Sequence, residues 1–101
     1  MSTNLWTWGG TYFGSREGDN LWTHSGRHVG HFIGDEVYGS DGRYLGEIKN
    51  GKLITSLSSR SRRGSGFTPH ASRVGHVPYV DHVGMVMYSG YEDFPGPETF
   101  R

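Results

Sequence analysis

A unit of about sixteen residues occurs three times in the first half of the chain. Residues 5–20 read LWTWGGTYFGSREGDN, residues 21–36 read LWTHSGRHVGHFIGDE, and residues 37–52 read VYGSDGRYLGEIKNGK. Matching positions keep an aromatic residue, two glycines and a ring: Trp6, Trp22 and Tyr38; Gly10, Gly26 and Gly42; Gly14, Gly30 and Gly46; Tyr12, His28 and Tyr44. A repeat this short restricts the fold to copies of one small supersecondary unit.

The residue pattern of each unit is typical of a β-hairpin. Asp41-Gly42 and Asn50-Gly51 are strong tight-turn pairs, and residues 43–49 between them alternate as a strand does. The chain has 17 glycines and 14% aromatic residues, a combination typical of short strands joined by tight turns. No stretch of helical length keeps an apolar stripe without a glycine inside it. We therefore expect an all-β domain.

A fourth unit is predicted with an insertion. Residues 53–55 match the start of the earlier units, and RVGHV at 73–77 resembles HVGHF at 28–32. We interpret 56–72 as an exposed basic loop, 73–88 as the end of the fourth unit with a closing strand at 82–88, and 89–101 as a poorly ordered tail. The whole chain, 1–101, is then one domain with three clear hairpins in 4–55.

This pattern of an aromatic, a turn ending in glycine, a ring followed by an apolar residue and glycine, and a second tight turn resembles the 4-fold beta flower domain, a small bacterial family. The resemblance implies four hairpins in a pseudo-four-fold arrangement. It implies no established activity and no catalytic residues. From the residues alone, a small barrel competes with this arrangement.

The amino-acid composition excludes several kinds of site. The chain has no cysteine, which excludes disulfides, thiolate catalysis and cysteine-based zinc sites. We find neither a leader pattern near the start nor an apolar run long enough for a membrane span, and we expect a cytoplasmic protein with no membrane partner. The net charge is zero, yet residues 48–80 carry six basic residues and no acidic one, between two acidic flanks.

The basic segment provides the candidate binding residues. Arginines separated by serine and glycine form a cationic arm suited to phosphate contacts, and a neighbouring aromatic ring offers a stacking surface. The candidates for anion or partner binding are Arg60, Arg62, Arg63, Phe67 and Arg73. The competing interpretation is a solvated loop whose charge balances the acidic flanks or pairs with another subunit.

Six histidines raise the question of metal binding, at positions 24, 28, 31, 70, 76 and 82. His28 occupies the position of Tyr12 and Tyr44, so we expect its ring to fill a structural position of the repeat. A cluster of His31 with His76 from different units is the alternative that would hold metal. We predict no metal and no cofactor.

Two other catalytic motifs, the P-loop and the nucleophile elbow, are excluded by the residues around them. Residues 46–52 have P-loop spacing, but Leu53 stands where a Ser or Thr would bind magnesium, and a strand follows instead of a helix. No serine lies in a nucleophile elbow. Trp6, Trp22 and Tyr38 are expected in the core, whereas Trp8 lies outside the repeat and is expected to be exposed.

These observations favour a non-catalytic binding or protein-interaction module, with homo-oligomerisation as one route of interaction. One alternative is binding of nucleic acid or another polyanion through the Arg60–Arg63 loop. Another alternative is a small metal-dependent enzyme that uses histidines from different units.

Overall fold

The computed structural model describes residues 2–100. Its regular structure is almost entirely β, which confirms the predicted class. Two short 3-10 helices cover Leu57–Ser59 and Pro97–Phe100. The eight strands are β1 Ser2–Trp6, β2 Tyr12–Glu17, β3 Asn20–Thr23, β4 His28–Ile33, β5 Glu36–Tyr38, β6 Tyr44–Lys49, β7 Lys52–Ser56 and β8 Tyr91–Asp93. No helix within residues 2–100 has the length and apolar character that crossing a bilayer requires.

The strands form one curled antiparallel sheet in which each strand pairs with its neighbours in sequence. The curl brings the chain after β1 back to β7, where the Trp8 amide donates to the Leu53 carbonyl oxygen over 2.8 Å. Thr7 and Leu53 form a parallel bridge at the same place. The segment that follows β1 therefore meets β7, the next-to-last strand of the sheet, and the concave side of the sheet encloses the core.

The tight turns follow the sequence prediction. Asn50 and Gly51 both have positive φ, 51° and 74°, as an Asn-Gly hairpin turn requires. Gly18 and Gly34, which begin the other two predicted turns, have φ values of 61° and 63°. These four residues join β6 to β7, β2 to β3, and β4 to β5.

The core contains residues that lie sixteen positions apart in the sequence. Leu5, Leu21, Val37 and Leu53 are all buried, and Phe13 and Phe94 pack beside them edge to face with ring centroids 5.3 Å apart. The strand register shifts directly after Leu5, Leu21 and Val37. Such a shift bends a strand locally, so the sheet curls at three equivalent places.

Residues 60–88, here called the strap, contain no strand and run back across the turns that follow β1, β3 and β5. Gly64, Arg73 and His82, nine residues apart, donate their amides to the carbonyl oxygens of Gly42, Gly26 and Gly10. Phe67, His76 and Met85 donate in the same way to Ser40, His24 and Trp8. The strap therefore meets the hairpins in reverse order.

Three sequence interpretations of the second half are corrected. The predicted closing strand at 82–88 is not a strand, and residues 73–77 belong to the strap and not to a hairpin. The last strand instead lies in the predicted tail, where Thr55 pairs with Glu92 and Phe94 is buried. RVGHV and HVGHF are similar in sequence but differ in structure, because a short apolar-glycine-histidine pattern fits an extended strap as well as a strand.

Candidate functional site

Glycines allow the strap to lie directly on the turns that follow β1, β3 and β5. Gly10, Gly26 and Gly42 have positive φ, and a Cβ atom on any of them would overlap a strap backbone oxygen, of His82, Arg73 and Gly64 respectively. On the strap side, a Cβ on Gly75 would lie 2.7 Å from the Ser25 backbone. Side chains are excluded from both surfaces at these points, so backbone meets backbone.

The predicted binding arginines mostly pair with carboxylates of the same chain. Arg60 pairs with Glu92, Arg62 with Glu36 at 2.7 Å, and Arg73 with Glu17. All three carboxylates come from the acidic flanks. The Glu36 carboxylate also accepts the Tyr38 hydroxyl over 2.8 Å and raises the pKa of the Arg62 guanidinium. These side chains fasten the strap to the sheet.

Arg73 forms the most extensive of these contacts. Its guanidinium donates to both oxygens of Glu17 and lies 3.8 Å from the centre of the Trp22 ring. The hydrogen bonds from Arg73 are the main reason that the pKa of Glu17 is lowered from its usual value. A planar guanidinium suits both a carboxylate fork and an aromatic face.

Arg63 and Phe67 are placed differently. Arg63 lies at the surface and donates one hydrogen bond, over 3.1 Å, to the carbonyl oxygen of Arg62. Phe67 is half-buried, with its ring centroid 4.7 Å from that of His28 and 5.9 Å from that of His31. Phe67 thus fills the space between strap and sheet, and it is not a free stacking platform.

His28 is held in one tautomer by its two ring nitrogens. Its Nδ1 atom accepts the His70 amide over 2.9 Å, so Nε2 carries the proton and donates to the Gly30 carbonyl oxygen over 3.1 Å. Burial, assisted by the nearby His70 side chain, lowers the pKa of His28. Both nitrogens are occupied within the protein, which leaves this ring no free position for a metal.

The suggested His31 and His76 pair is not brought together around one ligand position. His31 lies beside Phe67, whereas His76 lies 6.2 Å from Tyr12 and 6.1 Å from Tyr79, measured between ring centroids. Among residues 2–100 no three histidine, aspartate or glutamate side chains are grouped as metal ligands.

Trp8 is buried, contrary to the prediction from its sequence position. Only 1% of its surface is exposed, and its ring nitrogen donates to the Val86 carbonyl oxygen over 3.0 Å. The Tyr88 ring lies 5.3 Å from the Trp8 ring. Both covering residues belong to the strap, almost eighty positions away, so local pattern could not reveal the contact.

The strap also carries an exposed apolar row, here called the valine ridge: Val74, Val77, Val80, Val83 and Val86. These five side chains recur every third residue, and each is between 82% and 95% exposed. The strap residues whose amides donate to the turns also follow a period of three, one position earlier in the sequence than the valines. A period of three is that of an extended polyproline-II-like segment, which presents one row inward and another outward.

The sixteen-residue spacing of the hairpins does not reveal the ridge. The sequence does carry two signals of the strap: valine at every third position from 74 to 86, and glycine nine residues apart at 66, 75 and 84.

No protein-family model, no curated protein and no solved structure matches this chain.

Proposed function

We propose that this protein is a non-catalytic protein-interaction module that associates with a second copy of itself through the valine ridge. The observation that carries the proposal is the exposure of five regularly spaced valines on one segment. Single exposed apolar residues are normal on a protein surface, but a regular row of them on one segment indicates an interaction site.

The size of the ridge suits an interface. Burying a valine side chain contributes about 1.5–3 kcal/mol at about 25 cal/mol per Å², which corresponds to roughly 60–120 Å² each. Five valines therefore offer roughly 300–600 Å² on each partner. The upper end of this range is about three quarters of the ~800 Å² per partner of a standard interface.

Charge supports a second copy as the occupant. From Val74 to Val86 the only carboxylate is that of Asp81, which accepts the Tyr12 amide over 3.0 Å. A neutral apolar row meets an identical row without charge repulsion, as the self-complementary interface of a two-fold dimer requires.

For the fold, we propose four hairpin units in the pseudo-four-fold arrangement of the 4-fold beta flower family. Three register shifts sixteen residues apart support this arrangement. The fourth unit would then combine β7 with β8, which the strap separates in sequence, and the curl of the sheet places Leu53 of β7 against Trp8.

The nucleic-acid alternative is less well supported by the contacts. Arg60, Arg62 and Arg73 already bind carboxylates, so each would have to leave its partner before contacting a phosphate. That exchange reduces the gain from counterion release on which nucleic-acid affinity depends.

The test is the mass of the protein in solution. Size-exclusion chromatography with light scattering at rising concentration should show a monomer and dimer for the natural chain. The triple variant Val77→Ser, Val80→Ser and Val83→Ser should be monomeric at every concentration, because each change removes apolar surface from the interface. These side chains are exposed in the monomer, so the fold should persist, as circular dichroism would verify.

The matched control replaces exposed apolar residues outside the ridge. A variant with Ile33→Ser and Leu57→Ser, 49% and 41% exposed, should keep the association of the natural chain. A natural chain that stays monomeric at 0.1–1 mM, on the order of the weakest useful dimer affinities, would refute the proposal, as would equal loss of association in the control.

A further inference from the structure

A groove lined by arginines lies beside the strap, and none of the five ridge valines lines it. Two adjoining clefts, of about 440 and 510 Å³, share Arg43, Leu45 and Phe100 as common walls. Each volume lies within the ~300–1,000 Å³ of small-molecule sites. We call this surface the arginine groove.

Three arginines in the groove have no carboxylate partner within the described part of the chain. Arg27 and Arg43 line the first cleft, and Arg43 and Arg63 line the second. Within residues 2–100, these three guanidinium groups form no ion pair, unlike Arg16, Arg60, Arg62 and Arg73. Arg27 and Arg43 stand sixteen residues apart, so equivalent turns of neighbouring hairpins present them.

The carboxylates in the groove do not cancel this charge. Glu92 is already paired with Arg60. Asp41 accepts the backbone amide of Arg43 over 3.0 Å, which fixes the turn and leaves one negative charge against three positive ones. The groove therefore keeps a positive excess that matches a doubly charged anion.

The other residues that line the groove indicate the chemistry of the uncharged part of the ligand. Leu45 and Phe100 are apolar, and the Phe100 ring is held edge to face against Phe13 at 5.8 Å. Ser40 and Ser72 in the first cleft and Thr55 in the second add hydroxyl groups. This combination of a cationic part and an apolar part is that of a site for a compact ligand with two chemically different ends.

We propose that the arginine groove binds a small phosphorylated ligand that carries an apolar or ring-shaped group. Guanidinium groups bind phosphate oxygens in a bidentate manner, and a phosphate monoester supplies the doubly charged end. The apolar end lies against Leu45 and Phe100. A polymer backbone fits less well, because the neighbouring arginines of the strap are occupied by carboxylates and provide no continuous cationic track.

The experiment is an NMR titration of amide shifts in the 15N-labelled protein with three probes: phenyl phosphate, inorganic phosphate and benzyl alcohol. Phenyl phosphate should shift the amides of Ser40, Arg43 and Leu45 in a saturable manner and bind more tightly than either fragment. Arg43→Ala should weaken binding about 10- to 100-fold, since a hydrogen bond to a charged group contributes about 1.5–3 kcal/mol.

Two variants separate specific recognition from general charge. Arg43→Lys keeps the charge but loses the planar fork, and it should give an intermediate affinity. Lys52→Ala removes one positive charge on β7 away from both clefts and should leave the affinity unchanged. Non-saturable shifts, or equal weakening by Lys52→Ala and Arg43→Ala, would overturn the proposal, and equal affinities for inorganic and phenyl phosphate would overturn the apolar end.

The result does not depend on self-association. The triple serine variant of the valine ridge should bind phenyl phosphate as the natural chain does, because none of the three valines lines either cleft.

Discussion

At the scale of single residues, His28 shows how one position of the predicted repeat can carry a different chemistry. Tyr12 and Tyr44 stand at the equivalent positions, and all three rings are buried. The Tyr44 hydroxyl donates to Glu47 over 2.7 Å and accepts the Ser56 amide over 3.1 Å, while burial raises its pKa. His28 instead uses its ring nitrogens to join strap and strand. At positions 28 and 44, a buried ring therefore forms two hydrogen bonds in each case.

The protonation of His28 predicts a loss of stability in mild acid. Burial lowers the pKa of His28 in the folded protein below its ordinary value of 6.5. As the pH falls through 6.5, the unfolded chain therefore takes up a proton that the folded chain refuses, and the free energy of unfolding decreases. The decrease is about 1.4 kcal/mol for each unit by which the two pKa values differ. Protonation would also end the acceptance of the His70 amide at Nδ1.

Urea denaturation at pH 7.5 and pH 5.5 measures this effect. His28→Phe should be less stable than the natural chain at pH 7.5, yet lose less stability on acidification. Tyr44→Phe is the control, because it also removes buried hydrogen bonds but no group that titrates in this range. An unchanged pH dependence in His28→Phe would show that His28 does not carry the effect.

At the scale of elements, the hairpins were predictable and the strap was not. Leu5, Leu21, Val37 and Leu53 recur in a period that fixes both strand and burial, and Asn50-Gly51 specifies its own turn. These are local signals. The strap contacts depend instead on backbone approaches between residues such as Arg73 and Gly26, nearly fifty positions apart. Neither the period of two nor that of 3.6 detects a segment whose inward row recurs every third residue.

The candidate binding residues show the same division. The composition of the loop correctly indicates a cluster of cations, but it does not show that Arg60, Arg62 and Arg73 have carboxylate partners on β8, β5 and β2. Arg27 and Arg43 occupy matching positions sixteen residues apart in the sequence. Their lack of partners is a property of the folded surface, so only the structure distinguishes them.

The contact between strap and turns predicts a graded effect of alanine at two glycines. Gly26 and Gly34 both have positive φ, 92° and 63°, but a Cβ on Gly34 meets nothing within 4 Å. Gly34→Ala should therefore cost only backbone strain, about 1–2 kcal/mol. Gly26→Ala should cost about 1–3 kcal/mol more, because its methyl group overlaps the Arg73 carbonyl oxygen and forces the strap away.

Chemical denaturation of the two variants gives the comparison directly. A further check is the environment of Trp22, on which Arg73 stacks, because displacement of the strap should change the tryptophan fluorescence of Gly26→Ala alone. Equal losses of stability in both variants would mean that the strap does not bear on this turn.

At the scale of the whole molecule, the strap closes the structure by contacting the three turns that follow β1, β3 and β5. It joins the acidic flanks to the basic segment, so the uneven charge of the sequence becomes a set of ion pairs that hold one segment against the sheet. Such partly exposed pairs contribute up to about 1 kcal/mol each. Backbone contacts and the covering of Trp8 must therefore contribute most of the attachment. Because the amide-donating residues of the strap are fixed against the turns, the valine ridge faces outward.

This construction predicts a period of three in amide hydrogen exchange along the strap. The amides of Gly64, Phe67, Arg73, His76, His82 and Met85 donate to carbonyl oxygens of the turns that follow β1, β3 and β5, and they should exchange slowly. Within residues 2–100, the amides of the five ridge valines donate to no protein acceptor, and they should exchange nearly as fast as in an unfolded chain.

The measurement is hydrogen exchange followed by NMR at single-residue resolution, in the monomeric triple serine variant so that association does not protect the outer row. Slow exchange at 64, 67, 73, 76, 82 and 85 with fast exchange at 74 and 86 would establish the inward and outward rows. Uniformly fast exchange across 60–88 would mean that the strap detaches easily from the turns, and the ridge would then lose the fixed spacing on which its role as an interface depends.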